Sequence, residues 1–149
     1  MKISDVVRNK GSNVATVAPD ATVIVLLRQL AEHGVGAMVV QTPDGTLAGI
    51  VSERDVVRQL DQHGSGLLDW SVDRIMTRDV ATCAPGDPIE DVMRLMTDRR
   101  LRHVPVMVDG GLAGIVSIGD LVKSRIDDLV STYTLSLHDA LPIYRKSVV

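Results

Sequence analysis

Apolar residues recur at helical spacing in two stretches of the chain. Val23, Leu26, Leu27, Leu30 and Ala31 form one stripe, and Ile89, Val92, Met93 and Met96 form another. Thr22 stands as N-cap before the first stripe and Gly34 closes it. Before the second, Asp87 is placed to cap and Pro88 to fill the first helical position. Each stripe is followed by two short strand-type runs around a turn: "GAMVV", "PDG", "LAGIV", and then "HVPVMV", "DGG", "LAGIV". A further helix starts at Ser52, carrying Val56, Val57 and Leu60, and at Ser117, carrying Leu121, Val122 and Ile126. "TVAP" from Thr16 and "TCAP" from Thr82 supply an extended piece ahead of each unit. The pattern predicts strand, helix, strand, strand, helix, twice over, in a mixed α/β (α+β) fold.

The two units are one unit written twice. Leu47 to Asp55 reads "LAGIVSERD", and Leu112 to Asp120 reads "LAGIVSIGD". The offset is 66 residues at Thr16/Thr82 and 65 at Ser52/Ser117, so one residue is lost in the second turn. A preceding segment recurs too, "ISDVV" at Ile3 and "VDRIM" at Val72. One unit is too small to bury its own apolar face, so the two pseudo-symmetric repeats are expected to pack sheet to sheet. Residues 1–65 form the first repeat with its N-terminal segment, and 66–130 the linker and second repeat. Residues 131–149 are set apart as a non-native tail. Within it Thr134 to Ile143, "TLSLHDALPI", is the in-frame translation of a common sequencing-adapter oligonucleotide.

Composition narrows the function. Hydrophobic residues make up 45% of the 149, enough for a real core. No apolar run approaches the ~20 residues of a membrane span, and the opening stretch lacks the apolar core of a signal peptide. Cys83, the lone cysteine, fits a reducing cytoplasm. The net charge of -3 with no basic stripe argues against nucleic acid. There is no Phe, and Trp70 is the single Trp, so a planar ligand would be gripped by aliphatic side chains. No Cys-x-x-Cys, His-Glu-x-x-His, Gly-x-Ser-x-Gly or P-loop occurs; no catalysis, cofactor or metal is expected. Cys83 reads as a small strand residue or a redox sensor. His33 and His63 read as solvated, and Trp70 as packing the linker against the domain. Arg99 and Arg100 read as complementing a helix C-terminus.

The repeated Ser-x-x-Asp carries the candidate chemistry. At a helix start, the carboxylates of Asp55 and Asp120 could accept both vicinal hydroxyls of a ribose. The neighbouring amides, with Ser52 or Ser117, favour a phosphate. The same spacing is close to a capping box, which needs no ligand. One Asp can serve both roles.

The order Thr-x-x-Pro, helix, hairpin, Gly-Ile-Val-Ser-x-x-Asp resembles the cystathionine-beta-synthase (CBS) domain, here as a tandem pair over nearly all of residues 1–130. The likeness is to stand-alone bacterial pairs without a catalytic domain. It implies an adenosine-containing ligand (AMP, ADP, ATP, NAD or S-adenosylmethionine) in clefts between the repeats, a homodimer, and a regulated protein partner. By resemblance Thr16 and Thr82 open the clefts, and Ala37, Met38, Val104 and Pro105 line the adenine. Arg102 and His103 approach phosphates in the second copy; Gly36 and Ala37 hold those places in the first, where Arg54 is the candidate cation opposite Gly119. The cleft of Ser117 and Asp120 is therefore expected to dominate. Two alternatives stand beside the sensor: a ligand-free dimerisation module, and a small enzyme using Arg102, His103 and Asp120. Ile24 and Val25 replace the acidic pair Glu90 and Asp91, which suggests a dimer interface on that helix or a broader buried face within the monomer.

Overall fold

A computed structural model describes residues 1–11 and 13–140. Its first unit contains β1 (Thr16–Val17), α2 (Val23–His33), β2 (Ala37–Gln41), β3 (Leu47–Ser52) and α3 (Glu53–His63). Its second contains α4 (Ile89–Arg99), β4 (His103–Val108), β5 (Gly111–Ser117) and α5 (Ile118–Ala140). Helix α1 (Ile3–Lys10) precedes the first unit, and two 3-10 turns, Gly64–Asp69 and Val72–Arg74, precede the second. This is the expected mixed α/β architecture: two small sheets and five helices. No helix among the described residues is long and apolar enough to cross a membrane. Of the tail, Thr134 to Ala140 continue α5, and residues 141–149 lie outside the described residues.

The first sheet runs β1-β2-β3, with β1 parallel and β3 antiparallel to β2. The second has β4 and β5 alone; the expected strand at Thr82 reduces to one parallel bridge, Cys83 to Val106. Just beyond it the Ala84 N–H turns back to the Asp87 carboxylate at 2.8 Å. That bond also corrects the expected cap, because Pro88 is the N-cap of α4 and no side chain caps it. Thr22 and Gly34 do bound α2 as expected, Gly34 at φ 63°. The missing residue of the second hairpin has a physical account. Asp109 and Gly110 both take positive φ, 51° and 78°, which makes a tight two-residue turn.

Packing does not follow chain order. Leu67, Val72 and Ile75, from the segment ahead of the second unit, join Leu26, Met38 and Val51 in the first core. Ile3 and Val6, ahead of the first unit, join Ile89, Met96, Val104 and Leu121 in the second. Three matched hydrogen bonds show the exchange is symmetric. Val72 N–H donates to Ala21, Asp73 N–H to Pro19, and Val23 N–H to Trp70. In the other half, Ile3 N–H donates to Asp87, Ser4 N–H to Pro85, and Ile89 N–H to Met1. Each unit thus borrows the segment that precedes its twin.

This exchange explains the glycine in the repeated phrase. A Cβ on Gly49 would stand 2.6 Å from the Thr77 carbonyl oxygen and 2.8 Å from Met76 Sδ. On Gly114 it would stand 3.4 Å from both Val7 methyls. The borrowed segment presses on the strand at the same position in both halves, and harder on Gly49.

Candidate functional site

Both copies of Ser-x-x-Asp build the same helix start. Ser52 sits in extended backbone at φ -127°, ψ 163°, so its side chain can turn back over the first turn of α3. Its Oγ accepts from the Asp55 N–H at 3.3 Å, and Asp55 Oδ2 accepts from the Ser52 N–H at 2.8 Å. Ser117 and Asp120 exchange the same bonds at 3.1 and 2.9 Å. The capping reading therefore holds twice. It uses Oδ2 alone; among the described residues no hydrogen bond engages Oδ1 of Asp55.

The surroundings of the two carboxylates differ. Lys10, at the end of α1, places Nζ 2.6 Å from Asp120 Oδ2 and donates to the Ile115 carbonyl at 2.9 Å. In the first copy the equivalent Ile50 carbonyl accepts instead from the Thr77 N–H at 2.9 Å. No cation among the described residues is paired with Asp55. Burial opposes ionisation of Asp120, but the Lys10 ammonium and the Ser117 N–H outweigh it and hold the carboxyl below its usual range.

The main cleft, about 610 Å³, lies over Asp55. Ala37, Ile50 and Val51 give it an aliphatic wall, and Ser52, Glu53, Arg54 and Asp55 form one rim. Val57 and Arg58 extend that rim along α3. The opposite rim comes from the other unit, as Arg100, Leu101, Arg102 and His103, with Gly36 and Thr77 completing the lining. Burial holds the His103 imidazole below its usual pKa, and Lys10 and Arg102 act the same way against the pull of Asp120 and Glu53. Four arginines, Arg54, Arg58, Arg100 and Arg102, give the cleft its positive charge.

Of the expected site residues, the cleft brings together Ala37, Ser52, Arg54, Asp55, Arg102 and His103. Arg102 and His103, expected at the cleft of Ser117 and Asp120, line the cleft of the first copy's phrase as well, while His103 stands opposite Ser117 in the β4–β5 pair. Thr16, Met38, Thr82, Val104, Pro105, Ser117 and Asp120 do not line this cleft. Met38 and Val104 belong to their own cores, Thr16 pairs with Val39, and the Pro105 carbonyl accepts from Cys83 N–H.

Sequence reasoning missed Lys10, Arg58 and Thr77; it placed Arg99 and Arg100 at a helix C-terminus, as found, but not Arg100 on the cleft. Arg100 is the C-cap of α4 in left-handed backbone, φ 55°, ψ 45°. Its twin position is Gly34, at φ 63°. Holding an L-residue there costs about 1–2 kcal/mol. Aligning the two copies at this glycine was the signal available. Arg99, its neighbour, pairs with Asp79 at 3.8 Å. Cys83 is buried, and burial followed by the Asp87 charge pushes its thiol pKa up to about 12, which removes it as a redox sensor at neutral pH. His63 is exposed, as expected, and its ring lies 4.8 Å from that of Trp70, which packs on the first core and carries Arg74 at 3.7 Å. No cluster of three metal-ligating side chains occurs among the described residues.

Comparison with known proteins agrees with this architecture. The family model for the CBS domain matches residues 3–62 and 72–127. A CBS-domain containing protein from Agrobacterium tumefaciens has a solved structure that is 41% identical, with a TM-score of 0.82; the match covers 84% of this chain and 99% of that one. A mitochondrial CBS domain-containing protein of Arabidopsis thaliana is 37% identical over 134 residues, which is 85% of this chain and 65% of that relative's length. The chain thus spans just under two thirds of that plant protein. A CBS domain protein from Pyrobaculum aerophilum, solved in complex with AMP, is 27% identical with a TM-score of 0.72 over 80% of this chain and 89% of its own. With both repeats matched and the whole fold shared, the chain belongs to the CBS-domain family, as a tandem pair.

Proposed function

We propose that the chain is a non-catalytic regulatory module that binds an adenosine-containing ligand in the Asp55 cleft and passes its ligand state to a protein partner. One observation carries this reading: the cleft joins a half-free carboxylate on one repeat to arginines on the other. Asp55 Oδ1 would accept the ribose hydroxyls, Ile50, Val51 and Ala37 would pack on the adenine, and the arginines would hold phosphate. The AMP complex of the Pyrobaculum relative supports the ligand class. Lys10 offsets the charge of Asp120 and no cation among the described residues is paired with Asp55, which favours the Asp55 cleft as the binding one. The buried Cys83 fits a cytoplasmic home.

The module is also read as a homodimer, but on a face other than the one expected. Ile24 is 38% exposed and Val25 is half-buried, whereas Val57 on α3 is 64% exposed and Ile126 and Val130 on α5 are 53% and 57%. Helix α3 carries both the ligand's Asp55 and the apolar Val57 and Leu60, which makes it a direct route from cleft to interface. A ligand-free dimerisation module is the second reading, favoured by the complete caps at Ser52 and Ser117.

Titration calorimetry of ligand-stripped protein separates the two. Asn at position 55 can still accept from the Ser52 N–H through its Oδ1, yet Asp55→Asn should weaken adenosine-ligand binding ~10- to 100-fold by losing a charge-assisted bond of ~1.5–3 kcal/mol. Asp120→Asn should leave affinity nearly unchanged. Silence of AMP, ATP, NAD and S-adenosylmethionine on the wild type would end the sensor reading in favour of the module.

A further inference from the structure

We infer that the Asp55 cleft selects adenosine ligands that carry a polyphosphate chain over those that carry one phosphate or a sulfonium. This rests on the adenosine reading above and specifies its ligand. Arg54 and Arg58 lie one turn apart on α3, and Arg100 and Arg102 face them from the end of α4. Among the described residues none of the four is in an ion pair, although Arg8, Arg94, Arg99 and Arg125 all are. The carboxylates on the lining are Glu53 and Asp55, so the four arginines outnumber them by two.

A single phosphate has three oxygens and is saturated by two guanidinium forks. Four unpaired guanidiniums around one cleft exceed that need, and they oppose a cationic sulfonium. The backbone adds an independent argument. At the end of α2 the chain uses Gly34 for the left-handed cap, and at the same place in the second copy it keeps Arg100 in a conformation that L-residues avoid. A strained residue of this kind points to use of its side chain. Arg100 is one of the residues that line the cleft.

The test is calorimetric titration of the stripped, full-length protein with adenosine, AMP, ADP, ATP and S-adenosylmethionine, at about 150 mM salt and without divalent metal. Affinity should climb from adenosine through AMP to ATP, with a gain of at least about tenfold between AMP and ATP, and S-adenosylmethionine should bind weakest. The decisive variant is Arg100→Gly. Glycine suits the left-handed backbone, so the melting temperature should hold or rise. ATP affinity should nevertheless drop about tenfold, with a much smaller effect on adenosine. If AMP binds but ATP binds no tighter, or if Arg100→Gly binds ATP as the wild type does, the polyphosphate inference is overturned and the adenosine reading survives. If no adenosine ligand binds at all, both fall together.

Discussion

Alanine at Gly49 should destabilise the protein far more than alanine at Gly114, although the two occupy the same place in the repeated phrase. At Gly49 the new Cβ would meet the Thr77 carbonyl oxygen at 2.6 Å, so an ordinary 3.4 Å contact requires a retreat of about 0.8 Å. Met76 Sδ, at 2.8 Å, can swing away; the Thr77 backbone cannot. It is tied to Ile50 by two hydrogen bonds of 3.0 and 2.9 Å, which the retreat would stretch past useful length. Overpacking of this kind costs ~1–3 kcal/mol, and the two bonds add about 1 kcal/mol each. Removing a glycine from a strand returns about 0.5–1 kcal/mol. The net loss is about 2–4.5 kcal/mol. At Gly114 the new methyl would touch the Val7 methyls at an ordinary 3.4 Å, so Gly114→Ala should fall within about 0.5 kcal/mol of wild type. Urea melts with matching slopes would measure both differences, and thermal melts should show Gly49→Ala lower by roughly 4–18 °C. Because Thr77 lines the cleft, Gly49→Ala should also weaken ligand binding. Equal losses at the two glycines, or a neutral Gly49→Ala, would refute the close approach.

Lys10→Met should cost ~1 kcal/mol at neutral pH, the upper range for a charge-assisted bond being discounted because the Lys10 side chain is 37% exposed. The Asp120 carboxyl is held below its unfolded value, so its ionisation stabilises the fold above about pH 4 and that contribution is lost as pH falls through the lowered value; wild type and variant should converge in acid melts. Val57→Glu with Ile126→Glu should shift light-scattering mass toward monomer, while Ile24→Glu with Val25→Asp should leave the dimer intact. Cys83, with its thiol pushed up to about 12, should resist alkylation at pH 8 until denaturant is added, and modification as fast as that of a free peptide thiol would contradict its burial.

Much of this fold could be read along the chain because its signals are local. Thr22 and Gly34 delimit α2 through bonds made within a turn, and the paired hairpins follow from strand patterning and from glycine or aspartate in the turns. The expectation failed at Asp87, where two local partners compete for one carboxylate and the Ala84 N–H wins. The cleft was legible only by halves. Ser52 and Asp55 announce themselves by repetition, whereas the place of Arg102 on the first copy's cleft could not be read, because spacing cannot say which unit a side chain will face. Lys10 reaches Asp120 across 110 residues of sequence, and nothing near Lys10 marks it for that contact.

The exchange of leading segments also sets a timetable for synthesis. The first core needs nothing beyond Ile75, so it can close while the second repeat is still being made. Ile3 and Val6 cannot close with it, since their neighbours run on to Leu121, 118 positions after Ile3. At ~5–20 residues per second the first helix made waits on the order of ten seconds for the strands that will cover it. Helix α1 therefore stays uncovered until the second core closes around it, and anything that recognises an exposed Ile-x-x-Val segment has that interval in which to act.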